Sequence, residues 1–408
     1  MVRTSLRLSA PGAPHRPVAL PRLAAAAAVP SLLAVVALVT FMAAAAPAAA
    51  QLASITVPPS GGNQRATTTQ GIGLVKVTID YSSPHVHSPA GEDRRGKIWG
   101  GLVPYGMANL GFGTCGDQCP WRGGANENTL FVTTHDIKVQ GQVLPAGTYG
   151  LHFIPGKDEW TVIFSKNSTS WGSFFYDKKE DALRVTAKPA KSDYHEDLTY
   201  WFRDRKLDHA TAVLSWEDLE LPLDITVDNA KDLYAENMER ELRSSAGFTW
   251  MGWNTAANYC LTNKTHLDEG LRWAERAIDV NQGGQANFTT LSTLADLQEA
   301  NNQVAEGKKT RTRALHDPTA GPIDLHLYAR QLLGQKKATE AMEVFQLNYK
   351  LHPKAWPVEL GLARGYAALG QKKEALEHAK LALPTAPDPA NKKNIQDIIE
   401  KLQQGKDI

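Results

Sequence analysis

The stretch WRGGANE, residues 121–127, gathers the side chains best suited to polar chemistry. Arg122 presents a rigid fork of donors that matches a carboxylate or another oxyanion, and Glu127 is an acceptor close by in the chain. Gly123 and Gly124 permit sharp turns, and Asn126 suits a turn cap or a left-handed backbone. Two readings follow. In one, an Arg122–Glu127 ion pair and an Asn126 cap lock the loop ahead of a strand at 129–134. In the other, Arg122, Asn126 and Glu127 line a polar ligand pocket with Tyr105 and Trp121. His152 adds a base: Tyr149, Leu151 and Phe153 share one strand face and His152 points the other way, into a cleft or into solvent. Arg122, Glu127 and His152 are thus the centre of any hydrolytic or metal-assisted site.

Other patterns carry less. In HVH, His85 and His87 would share one face of a strand, as a metal site in a β-sandwich needs, with His135 or His152 completing it. Pro84 and Pro89 bracket the pair, however, and argue for a loop, so these are weak ligands. GFGTCG fits G-x-G-x-x-G through Gly111, Gly113 and Gly116. No helix follows it to receive a pyrophosphate, so no dinucleotide site is expected. Glu217 and Asp218 are adjacent on a strand and face opposite ways, a poor acid/base pair. The chain has no nucleophile elbow, metalloprotease helix or P-loop, and no cofactor is expected. Cys115 and Cys119 are spaced for a small disulfide loop, which leaves Cys260 as a buried free thiol.

Two kinds of element must position these residues. LVKVTIDY (74–81) places Val75, Val77, Ile79 and Tyr81 on one face at period 2, and short β-branched and aromatic runs continue through 129–164. Further strands are expected at 182–187, 198–202, 210–216 and 221–227. About eight short strands with tight turns suggest an antiparallel sandwich or barrel. Beyond Asp228 apolar residues recur at helical spacing. Ala341, Phe345 and Pro353 are answered 34 positions later by Ala375, Ala379 and Pro387, a period that resembles the tetratricopeptide repeat. LDEGLRWAERAIDV (267–280) supplies Gly270, Ala274 and Ala277 at the same internal spacing, and 288–316 is helical without signature residues. Three to four stacked hairpins are expected.

The N-terminal end bears on location. Arg3, Arg7, Arg16 and Arg22 precede a long apolar run that ends in APAAA before Gln51, which reads as a secretory signal cut after Ala50 or, uncleaved, as a single anchor. The protein is therefore expected outside the cytoplasm, periplasmic or secreted, with membrane contact only through that segment. Lys and Arg number 44 against 43 Asp and Glu, and four of the basic residues lie in the leader, so no surplus remains for nucleic acid.

The run YSSPHVHSPAGEDRRGKIWGGLVPYG (81–106), with WRGGANENTLF, LPAGTYGLHFIPGKDEWTVIF, WGSFFYD and LRVTAKP, resembles an exported bacterial family, domain of unknown function 2911, over about 55–228. The resemblance implies a compact β-rich domain, often followed by tetratricopeptide-like helices, and no reaction. The segment 107–120 and the HVH histidines depart from the family pattern; Arg122, Asn126 and Glu127 belong to the shared motif. The fold class expected is α+β and multidomain: a leader or anchor at 1–50, a tether at 51–69, an antiparallel β-sandwich or barrel-like domain at 70–228, and a tetratricopeptide-like α-solenoid at 229–408. The function expected is a non-catalytic binding scaffold, with a ligand or surface at the β-domain and a protein or peptide partner at the helices. A periplasmic enzyme around Arg122, Glu127 and His152 is the alternative.

Overall fold

A computed structural model describes residues 58–408. The leader or anchor expected at 1–50, its cleavage point and the first part of the expected tether lie outside the described residues. Ten strands form two antiparallel sheets that do not close into a barrel. In chain order they are β1 (Gln64–Ile72), β2 (Val75–Ser83), β3 (Leu130–Thr133), β4 (Ile137–Val139), β5 (Gln142–Leu144), β6 (Gly147–Ile154), β7 (Trp160–Ser165), β8 (Asp181–Ala187), β9 (Ala190–Arg203) and β10 (His209–Thr226). The larger sheet runs β1-β2-β3-β6-β7-β8 and the smaller β5-β4-β10-β9. Period-2 alternation does what it should: Val75, Val77 and Ile79 of β2, Leu151 and Phe153 of β6, and Val162 and Phe164 of β7 are buried in one core with Leu198, Leu214, Leu223 and Ile225 of the smaller sheet.

Three differences from expectation have physical causes. β1 starts at Gln64, inside the segment expected to be a tether. Its Gln, Arg and Thr side chains stay exposed or half-exposed, so no apolar alternation marked it, and pairing with β2 from Gln64↔Ser83 to Ile72↔Val75 supplies the strand. The two strands expected at 210–216 and 221–227 are one, β10, bent by register shifts on either side of Glu217. Glu217 holds a left-handed φ of 58°, and its buried carboxylate accepts the Gly96 amide. The pair β4–β5 is too short to read as separate strands from composition.

The helical half contains α1 (Ala230–Glu241), α2 (Trp250–Asn263), α3 (Leu267–Ile278), α4 (Phe288–Ala300), α5 (Val304–Leu315), α6 (Pro322–Gly334), α7 (Ala338–Leu351), α8 (Val358–Ala368), α9 (Lys372–Ala382) and α10 (Pro389–Gln403). Four hairpins, α2/α3 to α8/α9, lie between α1 and α10. None of these helices is long and apolar enough to cross a membrane. The repeat residues do what their size suggests: Ala341, Ala375, Ala379 and Ala382 are fully buried where helices meet. Phe345 occupies the position that Ala379 holds one repeat later. Its bulk fits because α8 faces it with Gly361 and Gly365, where a Cβ would stand 2.5 Å and 3.0 Å from the ring. The hairpin α4/α5 lacks signature residues but is started by a reciprocal cap between Asn287 and Thr290. The change from strand to helix falls at 228/229, yet Ala230 and Leu233 of α1 are buried in the sandwich core while Ala235 opens the helical one.

Candidate functional site

The stretch 121–127 is pinned from several sides before any ligand is considered. Trp121 exchanges both backbone hydrogen bonds with Phe153 of β6, at 2.8 and 2.7 Å. Gly123 has a φ of 64°, and a Cβ there would lie 2.5 Å from the Phe153 ring and 2.7 Å from the Tyr200 hydroxyl. That hydroxyl donates to the Gly123 carbonyl at 2.8 Å, so glycine is required twice over. Ala125 donates to the Ser82 carbonyl, and Asn126, left-handed at φ 56°, donates through Nδ2 to the Ser60 carbonyl at 3.1 Å.

Arg122 and Glu127 do not pair. Arg122 Nη1 donates to the Asn126 carbonyl at 2.6 Å, and the guanidinium lies over the Phe174 ring with Gly172 against it. Burial pulls its pKa down from the usual arginine value. Glu127 turns outward instead, accepts from Ser82 Oγ at 2.8 Å and stands 3.6 Å from Arg65. Partial desolvation works to raise its pKa, but its own backbone amide, Ser82 and Arg65 together hold it below the usual glutamate value. The expected ion pair fails because the left-handed turn at Asn126 sends the two side chains to different neighbours.

Beside this stretch an open pocket of about 410 Å³ is lined by Trp121, Arg122 and Asn126. Its walls are apolar, with Pro84, Val103, Pro104, Pro120 and Trp216. Arg94 also lines it. Its Nε donates to the Val86 carbonyl at 3.0 Å and its Nη2 to the His85 carbonyl at 2.8 Å. Trp121 and Trp216 belong to a cluster with Trp99 and Trp160, centroids 5.1 to 6.3 Å apart, which makes the floor rigid. Tyr105 is outside the pocket, its ring against Gly100, although its neighbours Pro104 and Gly106 line it. Glu127 and His152 do not line it either. Arg94, absent from the sequence-based set, read as one charge in the acid- and base-rich run EDRRGK, where nothing in the spacing set it apart.

His152 faces neither cleft nor solvent. It is 2% exposed, with Nδ1 3.1 Å from Ser173 Oγ and its ring edge-on to Tyr176. The loops at 107–120 and 166–180 cover that side of the sheet, where Cys115, Cys119, Ile163 and Tyr176 form a small second core. Burial, with the nearby Arg122 charge, lowers its pKa to about 4, so it is a neutral packing residue at neutral pH. Cys115 and Cys119 are disulfide-bonded, and Cys260 is a buried free thiol. Gly111, Gly113 and Gly116 all have positive φ, only Gly116 lies inside the loop that this disulfide closes, and no helix follows them. His85 and His87 flank the buried Val86 and are held by Asp197 and Glu196 of β9 rather than by each other. Among the described residues no group of three or more metal-ligating side chains converges.

Both sheets, from just ahead of β1 to the penultimate residue of β10, fall within one recognisable sequence unit. Residues 63–225 match the family described as protein of unknown function (DUF2911). The DUF2911 segment therefore contains the whole pocket except its rim at Gly61. No curated protein matches the chain. Among solved structures it is similar to YrrB, described as a TPR protein with an unusual peptide-binding site, at 15% identity and a TM-score of 0.27, covering 41% of this chain and 84% of that one. It is also similar to yeast Tom70, at 14% identity and a TM-score of 0.24, covering 42% of this chain and 43% of that one.

Proposed function

We propose that this is an exported, non-catalytic binding and scaffold protein. Its DUF2911 domain holds a small ligand in the pocket of Arg94, Trp121, Arg122 and Asn126, and its helical array docks a protein or peptide. The observation that carries the reading is what lines that pocket. Apolar walls and two guanidiniums suit binding, while no carboxylate, imidazole or free thiol among the described residues lines it, and Glu127 and His152 point elsewhere. Export is supported by the basic and apolar leader and by the Cys115–Cys119 disulfide, a bond that persists in oxidising compartments. Partner docking is supported by the four stacked hairpins. Between α5, α6 and α7 they leave a groove of about 620 Å³ whose lining includes Lys308, Tyr328, Gln331 and Glu340.

The test is a thermal-shift survey of the full chain against small neutral and charged organic molecules, repeated with Leu102→Glu. Leu102 is half-exposed on the pocket lining, so the change alters the pocket and not the core. Stabilisation of the native chain that Leu102→Glu weakens supports a binding pocket. Turnover of a compound that is lost in Glu127→Gln and His152→Gln would overturn the non-catalytic reading.

A further inference from the structure

The ligand class follows from the charges in the pocket and from what does not neutralise them. In the β-domain Arg65, Arg95, Arg184 and Arg203 each meet a carboxylate: Asp80, Asp93, Asp181 and Glu220. Arg94 and Arg122 share one pocket, and among the described residues neither has a carboxylate within 4.0 Å. Each guanidinium offers five N–H donors. Arg94 uses two and Arg122 one, all on backbone carbonyls, which satisfy hydrogen bonding without cancelling charge. Residues 1–57, ahead of the described ones, contain no Asp or Glu. Two partly desolvated cations with idle donors favour an oxyanion, and Arg prefers a planar, bidentate one.

The remaining lining decides what the oxyanion is attached to. Leu102, Val103, Pro104, Leu110, Pro120 and Trp121 give an apolar wall that a hydrated inorganic anion would leave unused. Leu102 and Leu110 are 50% and 37% exposed, apolar surface left open to water at the rim. The volume of about 410 Å³ lies within the range of small-molecule sites. We propose that this pocket binds an amphiphilic carboxylate, with its head at Arg94 and Arg122 and its hydrocarbon body along the wall of Leu102, Pro104 and Leu110. The proposal rests on the binding reading above and narrows it to one ligand chemistry.

Three probes separate head from body: octanoate, 1-octanol and inorganic phosphate, each titrated into the full-length protein by calorimetry at low salt and at high salt. Octanoate is expected to bind at least tenfold more tightly than 1-octanol and than phosphate, and to weaken in high salt. Arg94→Gln should weaken octanoate about tenfold and leave 1-octanol unchanged, while Arg94→Lys should retain part of the preference. Because Arg94 also ties down the 85–86 backbone, Leu102→Glu serves as a second variant at an exposed position. It should repel octanoate more than 1-octanol. Equal binding of octanoate and 1-octanol, or octanoate binding indifferent to both variants, would overturn the carboxylate class and leave an apolar pocket standing. Phosphate binding as tight as octanoate would overturn the amphiphile. If no probe binds, the carboxylate class falls; if the thermal-shift survey is also empty, the pocket reading falls with it.

Discussion

Moving the protein from pH 7 to pH 5 should destabilise it through two buried histidines, one in each half. His152 and His326 are 2% and 5% exposed, and burial lowers each pKa from 6.5 to about 4. Neighbouring cations add to the effect: Arg122 at His152, Arg364 and Arg330 at His326. The folded state therefore binds fewer protons than the unfolded chain between pH 6.5 and pH 4. Stability is fully present above that window and falls as the pH drops through it. At pH 5, an unfolded pKa near 6.5 against a folded one near 4 corresponds to about 2 kcal/mol for each histidine, on the order of 4 kcal/mol together. His152→Gln keeps a partner for Ser173 and cannot titrate, so it should remove about half of this loss. The assay is urea unfolding of the native chain, His152→Gln and His326→Gln at both pH values, by near-ultraviolet and 222 nm circular dichroism. The quantity compared is the loss between pH 7 and pH 5, which cancels carboxylate titration common to all three. A native chain and His152→Gln that lose the same stability would show that the imidazole is protonated, or reached by water, in the folded protein, and would refute the argument.

The Phe345–glycine fit between α7 and α8 should behave as a coupled pair. Gly361→Ala puts a Cβ 2.5 Å from the Phe345 ring and should cost about 1–3 kcal/mol by overpacking. Phe345→Ala alone should cost about 3–5 kcal/mol, and in that background Gly361→Ala should be near neutral; additive losses in a double-mutant cycle would refute the coupling. Replacing Cys115 and Cys119 by Ser opens a loop with a sequence separation of 4 and should cost about 2 kcal/mol, read as a shifted urea midpoint that reductant reproduces in the native chain. Cys260, buried and with its thiol pushed up to about 11 mainly by burial, should resist alkylation until the chain unfolds; labelling at the native rate of an exposed thiol would contradict its placement between α2 and α3.

What the sequence revealed and what it hid divide along the range of the interactions. Local periodicity places the inward faces of β2, β6 and β7 and the small residues Ala341, Ala375 and Ala382 correctly, because burial of one face is written into spacing. It also marks the turn chemistry of Gly123 and Asn126, since a positive φ selects those residue types. It fails where a residue's role depends on partners far along the chain. Glu127 found Ser82 and Arg65, 45 and 62 positions before it, rather than Arg122 five positions away. The outward face at His152 was covered by loops whose packing no strand pattern encodes, and Arg94 became a pocket residue only when Pro84, Pro104 and Pro120 were brought beside it. The same non-local folding explains why the site holds charge without acid. The carboxylate that sequence proximity offered to Arg122 is spent on β1 and β2, so the guanidinium reaches the pocket uncompensated. Glu127 is drawn away from the half-buried Arg122, and Arg94 lines the same pocket with no carboxylate beside it among the described residues, which is the charge pattern on which the amphiphilic-carboxylate proposal rests.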